Sequence, residues 1–402
     1  MFKLALRNVF RHKTRSALTL IAISFGVIGL ILSGGFVADV FVQLAEATIH
    51  SQLGHVQVAK PGFFTQGTRK PYDYQIENPE PLRRELEKLN GVDDVMLRLN
   101  FSGLISNGKA DLAIFGEGIE PDKEARLGSF LKIIEGRQLK SSDTYGIILG
   151  EGVAQALKLR AKDPVTLLLN TKEGALNTIE LEVVGIARSF SKDYDARVVR
   201  ITLPAAQDLL ASAAINSYVI SLRDTQDTEA TLLHLQKILD KNLYEVKSWQ
   251  QLSDFYSSTV ALYERQFGVL KIIILVMVLL SVVNSVSMTV MERIGEFGTL
   301  MALGNKRRTL FQLVVVENTL LGVFGGLLGV VLGVALALLI SAMGITMPPP
   351  PNSNSGYTAI IRVVPEIIVT AFFVGFLATV LASLLPARRA SRLPVAEALR
   401  QN

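Results

Sequence analysis

The residues most able to do chemistry are sparse in this 402-residue chain. Gly103-x4-Gly108-Lys109-Ala110 comes within one position of a phosphate-binding loop, in which backbone amides cradle phosphates and a Ser or Thr hydroxyl holds Mg2+. Ala110 has no hydroxyl, and Asn107-Gly108 between the extended runs 102–105 and 111–115 predicts a hairpin turn, not a strand-to-helix loop. The histidines, His12, His50, His55 and His234, are scattered, and a spacing of five keeps His50 and His55 off one helical face, against a metal site. Asp93-Asp94 reads as solvated surface, no Gly-x-Ser-x-Gly elbow occurs, and the lack of cysteine removes thiolate chemistry. No catalytic, metal-ligating or cofactor-binding residue is predicted.

The elements that dominate are apolar. Hydrophobic residues make up 49% of the chain, charged residues only 19%, and the mean hydropathy is +0.36, against a quarter charged in typical soluble domains. Segments 16–38, 272–291 and 367–387 carry no charge, and 318–361 is uncharged with a break at Pro348 to Pro351. About 20 residues cross a bilayer core as helix, so four transmembrane helices are predicted. The first could be a cleaved signal, with Ala45-Glu46-Ala47 as the cleavage site, but its apolar stretch is too long for one. The three segments expected inside, 1–15, 292–308 and 388–402, hold thirteen basic residues against three acids, whereas 39–270 holds 26 against 31. The positive-inside rule therefore places both termini in the cytoplasm and the large segment outside. The overall charge of +5 reports topology, and nucleic-acid binding is not expected.

The external segment changes to alternation and short amphipathic runs. His55-Val56-Gln57-Val58 and 95–105 read as strands around a helix with Leu82, Leu86 and Leu89 on one face. The order repeats: 218–222 extended, 228–239 helical with Leu232, Leu235 and Leu239, then 244–246 extended. The expected fold is an α-helical membrane protein with four transmembrane helices and a large extracytoplasmic α+β domain. That domain has a split β-α-β, porter-like part and a β-rich insertion at about 130–210. Strands are predicted in the insertion at 146–149, 164–169 and 179–184.

Two of the three segments expected in the cytoplasm read as amphipathic helices. Phe2 to Arg11 form an amphipathic helix, with Phe2, Leu6, Val9 and Phe10 in the interface and Lys3, Arg7 and Arg11 toward anionic headgroups. The second places Ile294, Phe297, Leu300 and Met301 at helical spacing, with Glu292, Arg293 and Glu296 offset and Gly304 as the stop. Such a helix suits a groove on another protein or the membrane surface.

Glu292-Arg293-x-x-Glu296-Phe297-Gly298-x-Leu300-x-Ala302-Leu303-Gly304, with Glu317 thirteen residues on, resembles the signature of MacB/FtsX-type ABC transporter permeases. Leu4-Ala5-Leu6-Arg7-Asn8, the ending Pro386 to Arg400, Glu135-Gly136-Arg137, Leu149-Gly150-Glu151-Gly152 and Val184-Gly185-Ile186 resemble the family as well. Lys162-Asp163 stands where the family usually has Gly-Asp. The layout is most similar to the lipoprotein-releasing Lol permeases, since no ATPase lies within these 402 residues.

The resemblance implies a permease with this division: cytoplasmic helix 1–15, transmembrane helix and stalk start 16–42, MacB-like core domain 43–264, transmembrane helix 265–291. A coupling helix 292–308, transmembrane helix 309–344, outer loop 345–364, transmembrane helix 365–387 and cytoplasmic tail 388–402 follow. It further implies a cytoplasmic ABC ATPase dimer that binds ATP and Mg, a second permease as homo- or heterodimer, membrane lipids, and room for a periplasmic adaptor or carrier. Glu292, Arg293, Glu296, Phe297, Gly298, Leu300, Ala302 and Gly304 are the expected ATPase-coupling residues. Movement would pass along stalks at 40–49 and 251–265 by mechanotransmission, at the inner membrane. The expected substrate is a lipoprotein or lipid; regulation of a cell-wall hydrolase as in FtsX, or efflux as in MacB, are the alternatives. Gly325, Gly329 and Gly333, with a second row at Gly322 and Gly326, suit close helix packing in a dimer, and Asn284 is expected to be a buried amide.

Overall fold

The structure is a computed structural model that describes residues 2–11, 13–67, 69–128, 131–189, 191–347 and 356–392. The chain opens with α1 (Phe2–Arg11) and α2 (Lys13–Thr48), which ends in a π-helical turn, Ile49–Leu53. The α+β domain follows as β1 (Val56–Ala59), α3 (Phe63–Gln66), α4 (Glu80–Leu86), β2 (Val92–Ser106), β3 (Asp111–Ile119), α5 (Pro121–Leu127), β4 (Lys132–Gly136) and β5 (Gly146–Gly150). It continues through α6 (Glu151–Leu157), β6 (Pro164–Asn170), β7 (Leu176–Arg188), α7 (Lys192–Asp195), β8 (Val198–Thr202), α8 (Leu203–Leu210), β9 (Ser217–Leu222), α9 (Thr228–Ile238), β10 (Glu245–Ser248) and α10 (Trp249–Leu252). The membrane part resumes with α11 (Asp254–Glu292), α12 (Ile294–Ala302), α13 (Arg307–Met343) and, after two short strands, α14 (Pro365–Arg392). Two compact units result, one of membrane helices and one formed mainly by 43–258.

Among the described residues four helices are long and apolar enough to cross a membrane. Their contacts are made by small residues. On α13, Gly325, Gly329 and Gly333 lie against Ile23, Val27 and Ile31 of α2, while Gly322 and Gly326 lie against Thr379 and Phe372 of α14. A Cβ on Gly329 would come within 2.7 Å of Val27 and 3.0 Å of Ser24. Both glycine rows thus pack inside the chain, not on a face offered to a second copy as expected. The buried hydroxyls are paired: Ser24 donates to the Gly325 carbonyl at 2.9 Å, and Thr19 meets Ser285 at 2.6 Å. Asn284, expected to be buried either within the subunit or across an interface, is not buried within this chain. α11 turns Val278, Val282, Val286 and Val290 inward, which leaves Asn284 exposed on the opposite side.

In the α+β domain the sheet runs β10-β1-β9-β2-β3-β8-β5-β7-β4, with β6 paired to β2 and β7. Strands β1, β2, β9 and β10 form the split β-α-β part, all antiparallel, with α4 and α9 as its crossover helices. Leu82, Leu86, Leu232 and Leu235 cover one face of this sheet. Met96, Val219 and Leu127 of α5 pack on the other. Strand β1 is therefore buried on both faces, including Gln57, whose amide donates to the Leu53 carbonyl at 2.9 Å. Its apolar-polar alternation marks a capping hydrogen bond, not a solvated side. Strand β2 joins the two parts: residues 92–98 pair with β9, and 99–106 pair with β3. Strand pairing in the inserted part thus begins at Leu99, before the expected 130–210, and β4 and β8 were not legible as strands.

The near-phosphate-loop is a hairpin. Asn107 Oδ1 accepts from the Lys109 and Ala110 amides at 2.9 and 2.8 Å, and Gly108 has φ +77°. Lys162 stands in the left-handed region, with φ +75°, and its amide donates to the Val183 carbonyl at 2.7 Å. A left-handed L-residue costs about 1–2 kcal/mol, offset in part by the entropy glycine loses on folding. Lys162→Gly is therefore expected to stabilise the chain by roughly 0.5–1 kcal/mol. A thermal midpoint at or below that of the parent chain would contradict this.

Candidate functional site

The helix α11 breaks at Arg293, with φ −101° and ψ 14°, and α12 starts one residue on. Arg293 is buried and holds the break. Its Nη1 donates to Glu317 Oε2 at 2.8 Å, its Nε to Glu296 Oε2 at 3.0 Å, and its guanidinium lies 5.2 Å over the Phe297 ring. Glu317 is itself buried in α13, and its second oxygen accepts from the side-chain amide of Asn8 in α1. One carboxylate thus fastens three elements. A cavity of about 30 Å³ lies beside it, lined also by Ser16, Thr19, Thr289 and Asn318, enough to admit water.

Of the expected coupling residues, Arg293, Phe297 and Gly298 face inward, as does the neighbouring Ile294, and Leu300 is half-buried. Arg293 is not on the offset polar face: burial against Phe297 and Glu317 overrides its sequence position. Glu292, Glu296, Ala302 and Gly304 are exposed, as is Thr299. Glu296 faces Arg11 at 4.0 Å, and Gly304, with φ +91°, lies just past the end of α12. Leu303, 76% exposed, had no assigned role from sequence, although an apolar residue directly before a stop glycine was the available signal. Asn8 was legible only as part of a motif, because nothing in α1 announces a partner 309 positions away. In α1, Ala5 and Val9 are buried and Arg7 and Arg11 exposed, while the side chains of Phe2, Lys3 and Phe10 lie outside the described residues. So does the ending beyond Arg392.

A second constellation holds the end of the first stalk. The carbonyls of Ser51 and Gln52, at the π-helical end of α2, accept from Arg200 and Arg98. Both arginines are buried and paired, Arg98 with Glu124 and Arg200 with Glu117 at 2.9 Å. Tyr194 donates its hydroxyl to Glu117 at 2.9 Å and accepts from Arg200 at 2.9 Å. Burial pushes the Glu117 carboxyl up, but Arg200 and Arg98 outweigh it and hold the group below its usual range. Two cations at a helix C-terminus also complement its dipole. The second stalk starts later than expected: Ser253, with φ −103° and ψ 87°, separates α10 from α11 at Asp254.

His50 and His55 do come together, contrary to the reading from spacing. The π-helical turn and the bend at Gly54 bring their rings edge to face at 5.6 Å. Among the described residues no group of three ligands could hold a metal ion. Instead His55 Nδ1 accepts from the Leu222 amide at 3.1 Å, and its Nε2 meets Thr225 Oγ1 at 3.2 Å, which donates to Glu46 in α2 at 2.9 Å. Burial, reinforced by His50, pushes His55 down to about 4.

Two outcomes follow. Arg293→Met leaves Glu317 buried without its cation and is expected to cost about 3 kcal/mol, most of it recovered in Arg293→Met with Glu317→Leu. Additive losses in a thermal-denaturation double-mutant cycle would refute the coupling. A histidine neutral in the folded state binds a proton only on unfolding, so stability is full above pH 6.5 and declines toward pH 4, by roughly 3 kcal/mol in total. Between pH 6.5 and 5, above the carboxylate range, His55→Gln should flatten that decline; an unchanged slope would exclude His55 as its source.

Residues 16–238 match the MacB-like periplasmic core domain, and 268–395 match the FtsX-like permease C-terminal family. The chain is 25% identical to an uncharacterized ABC transporter permease of Methanocaldococcus jannaschii, covering 98% of this chain and 96% of that one. It is 22% identical to the lipoprotein-releasing system transmembrane protein LolE of Haemophilus influenzae, covering 93% and 90%. With the macrolide export ATP-binding/permease protein MacB of Escherichia coli it shares 22% identity over 97% of this chain, but only 59% of that longer protein. The crystal structure of the periplasmic region of MacB from Actinobacillus actinomycetemcomitans aligns at a TM-score of 0.36 and 14% identity, covering 50% of this chain and 91% of that one. The two family matches, which together span most of the chain, make it a member of the MacB/FtsX family of ABC transporter permeases.

Proposed function

We propose that this permease works by mechanotransmission with an ATPase carried on a separate subunit, extracting or exporting an amphiphile, a lipoprotein or a lipid, at the outer face of the inner membrane. The observation that carries the reading is the Asn8–Glu317–Arg293 lock. An ATPase pressing on the exposed side of α12 would act on α13 and α1 together, because α12 cannot shift without parting a buried ion pair. The uninterrupted α2, clamped at its end by Arg98 and Arg200, supports transmission toward the outer domain. The basic flanks support a cytoplasmic α12 and cytoplasmic termini. Two ATPases and a second permease complete the proposed assembly, with ATP and Mg in the ATPases.

Near-full-length similarity to LolE, named for lipoprotein release, favours a lipidated or lipid substrate. Efflux with a periplasmic adaptor is the second reading, favoured by the alignment of 97% of this chain with a macrolide exporter.

Glu296→Lys reverses an exposed charge on α12 and removes the carboxylate that accepts from Arg293 Nε, leaving Glu317 as the remaining ion-pair partner of that guanidinium. It should abolish co-purification of the ATPase, or lower coupled ATP hydrolysis at least about tenfold, equivalent to ~1.4 kcal/mol. Unchanged co-purification and hydrolysis would remove α12 as the coupling element.

A further inference from the structure

A cavity of about 750 Å³ opens among α2, α11 and α14, within the roughly 300–1,000 Å³ of small-molecule sites. Its walls are mostly apolar, with Leu30, Phe41, Phe267, Leu275 and Val374 contributing from the three helices. Three ionisable side chains also line it: Glu264 and Lys271 from α11 and Glu366 from α14. None of the three has an ion pair or hydrogen bond to another described residue. Lys271 is the last charge before the uncharged stretch 272–291, and Glu264 lies seven residues earlier, about 10 Å along the helix. Glu366 likewise stands at the start of α14, ahead of the residues that continue into the cavity. Along α11 the order is carboxylate, ammonium, apolar wall, and α14 repeats the carboxylate-first order.

We propose that this cavity binds one glycerophospholipid whose headgroup carries both a phosphate and a primary ammonium. The phosphate sits on Lys271, the ammonium outside it on Glu264 and Glu366, and an acyl chain runs along Leu30, Leu275 and Val374. Charge order is the argument. In such a lipid the ammonium lies farther from the acyl chains than the phosphate does, matching the sequence of groups along the wall. A purely anionic headgroup would set its negative charge against two carboxylates. A lysine that merely snorkels toward the interface would not distinguish headgroups. The proposal rests on the four helices lying in a membrane and is independent of the transported substrate and of the ATPase.

The test uses the full-length chain purified without nucleotide and equilibrated with phosphatidylethanolamine or phosphatidylglycerol, with retained lipid counted by native mass spectrometry. One phosphatidylethanolamine per chain is expected, retained at least about tenfold better than phosphatidylglycerol, a difference of ~1.4 kcal/mol. Lys271→Gln should lower retention of both lipids. Glu264→Gln with Glu366→Gln should erase the preference while leaving phosphatidylglycerol bound, a pattern that a misfolded variant would not give. Thr370→Trp, at an exposed position lining the cavity, should exclude both lipids while helical content stays unchanged. Equal retention of the two lipids by the parent chain would overturn the proposal. So would indifference to Lys271→Gln, or a lipid-free dimer weakened by these substitutions, which would make a second copy the occupant.

Discussion

A carboxylate taken out of water must find its counter-charge in the protein, and much of the membrane bundle is arranged around one such group. Glu317 sits in α13, whose other buried residues are glycine and aliphatic apart from Asn318, and its ion pair with Arg293 compensates part of its desolvation. Arg293 can reach it only because the helix breaks there, so the break and the ion pair require one another. The amide of Asn8 occupies the remaining oxygen and brings α1 into the same arrangement. Glycine packing on both sides of α13 then leaves that helix little freedom to tilt away from its neighbours.

The outer domain obeys the same rule with more groups. Arg98 and Arg200 carry charge into the interior, where Glu117 and Glu124 neutralise them and the carbonyls at the end of α2 take up further donors. Arg98 is the last residue of β2 paired to β9, at the point where that strand passes to its second partner. The helix end is thereby tied to the one strand shared by both parts of the domain.

Much of this architecture was legible because it depends on periodicity and uninterrupted length. Four apolar blocks announce four membrane helices, and Asn107-Gly108 announces its turn through side-chain chemistry confined to four residues. What escaped depends on distant partners. Asn284 looks like a buried amide in a one-dimensional apolar run, yet helical phase turns it outward. Arg293 looks like part of a polar face until Glu317 is folded beside it. His50 and His55 violate helical spacing because the intervening residues are not α-helical. The alternation in β1 misled for a similar reason, since both faces of the sheet are covered.

The double duty of β2 has a consequence for how this domain can vary. Side chains alternate with period two, so inserting or deleting one residue within 95–106, beyond the irregularity at Val92/Asp94, would reverse the faces of everything after it and disturb pairing with β3 and β6 together. Changes of length are confined to places where no register is read. The tip at Gly108 is such a place: its left-handed turn projects with no neighbouring atom within 4 Å of a built Cβ. It is the natural point at which to splice in an epitope or a fluorophore-bearing peptide.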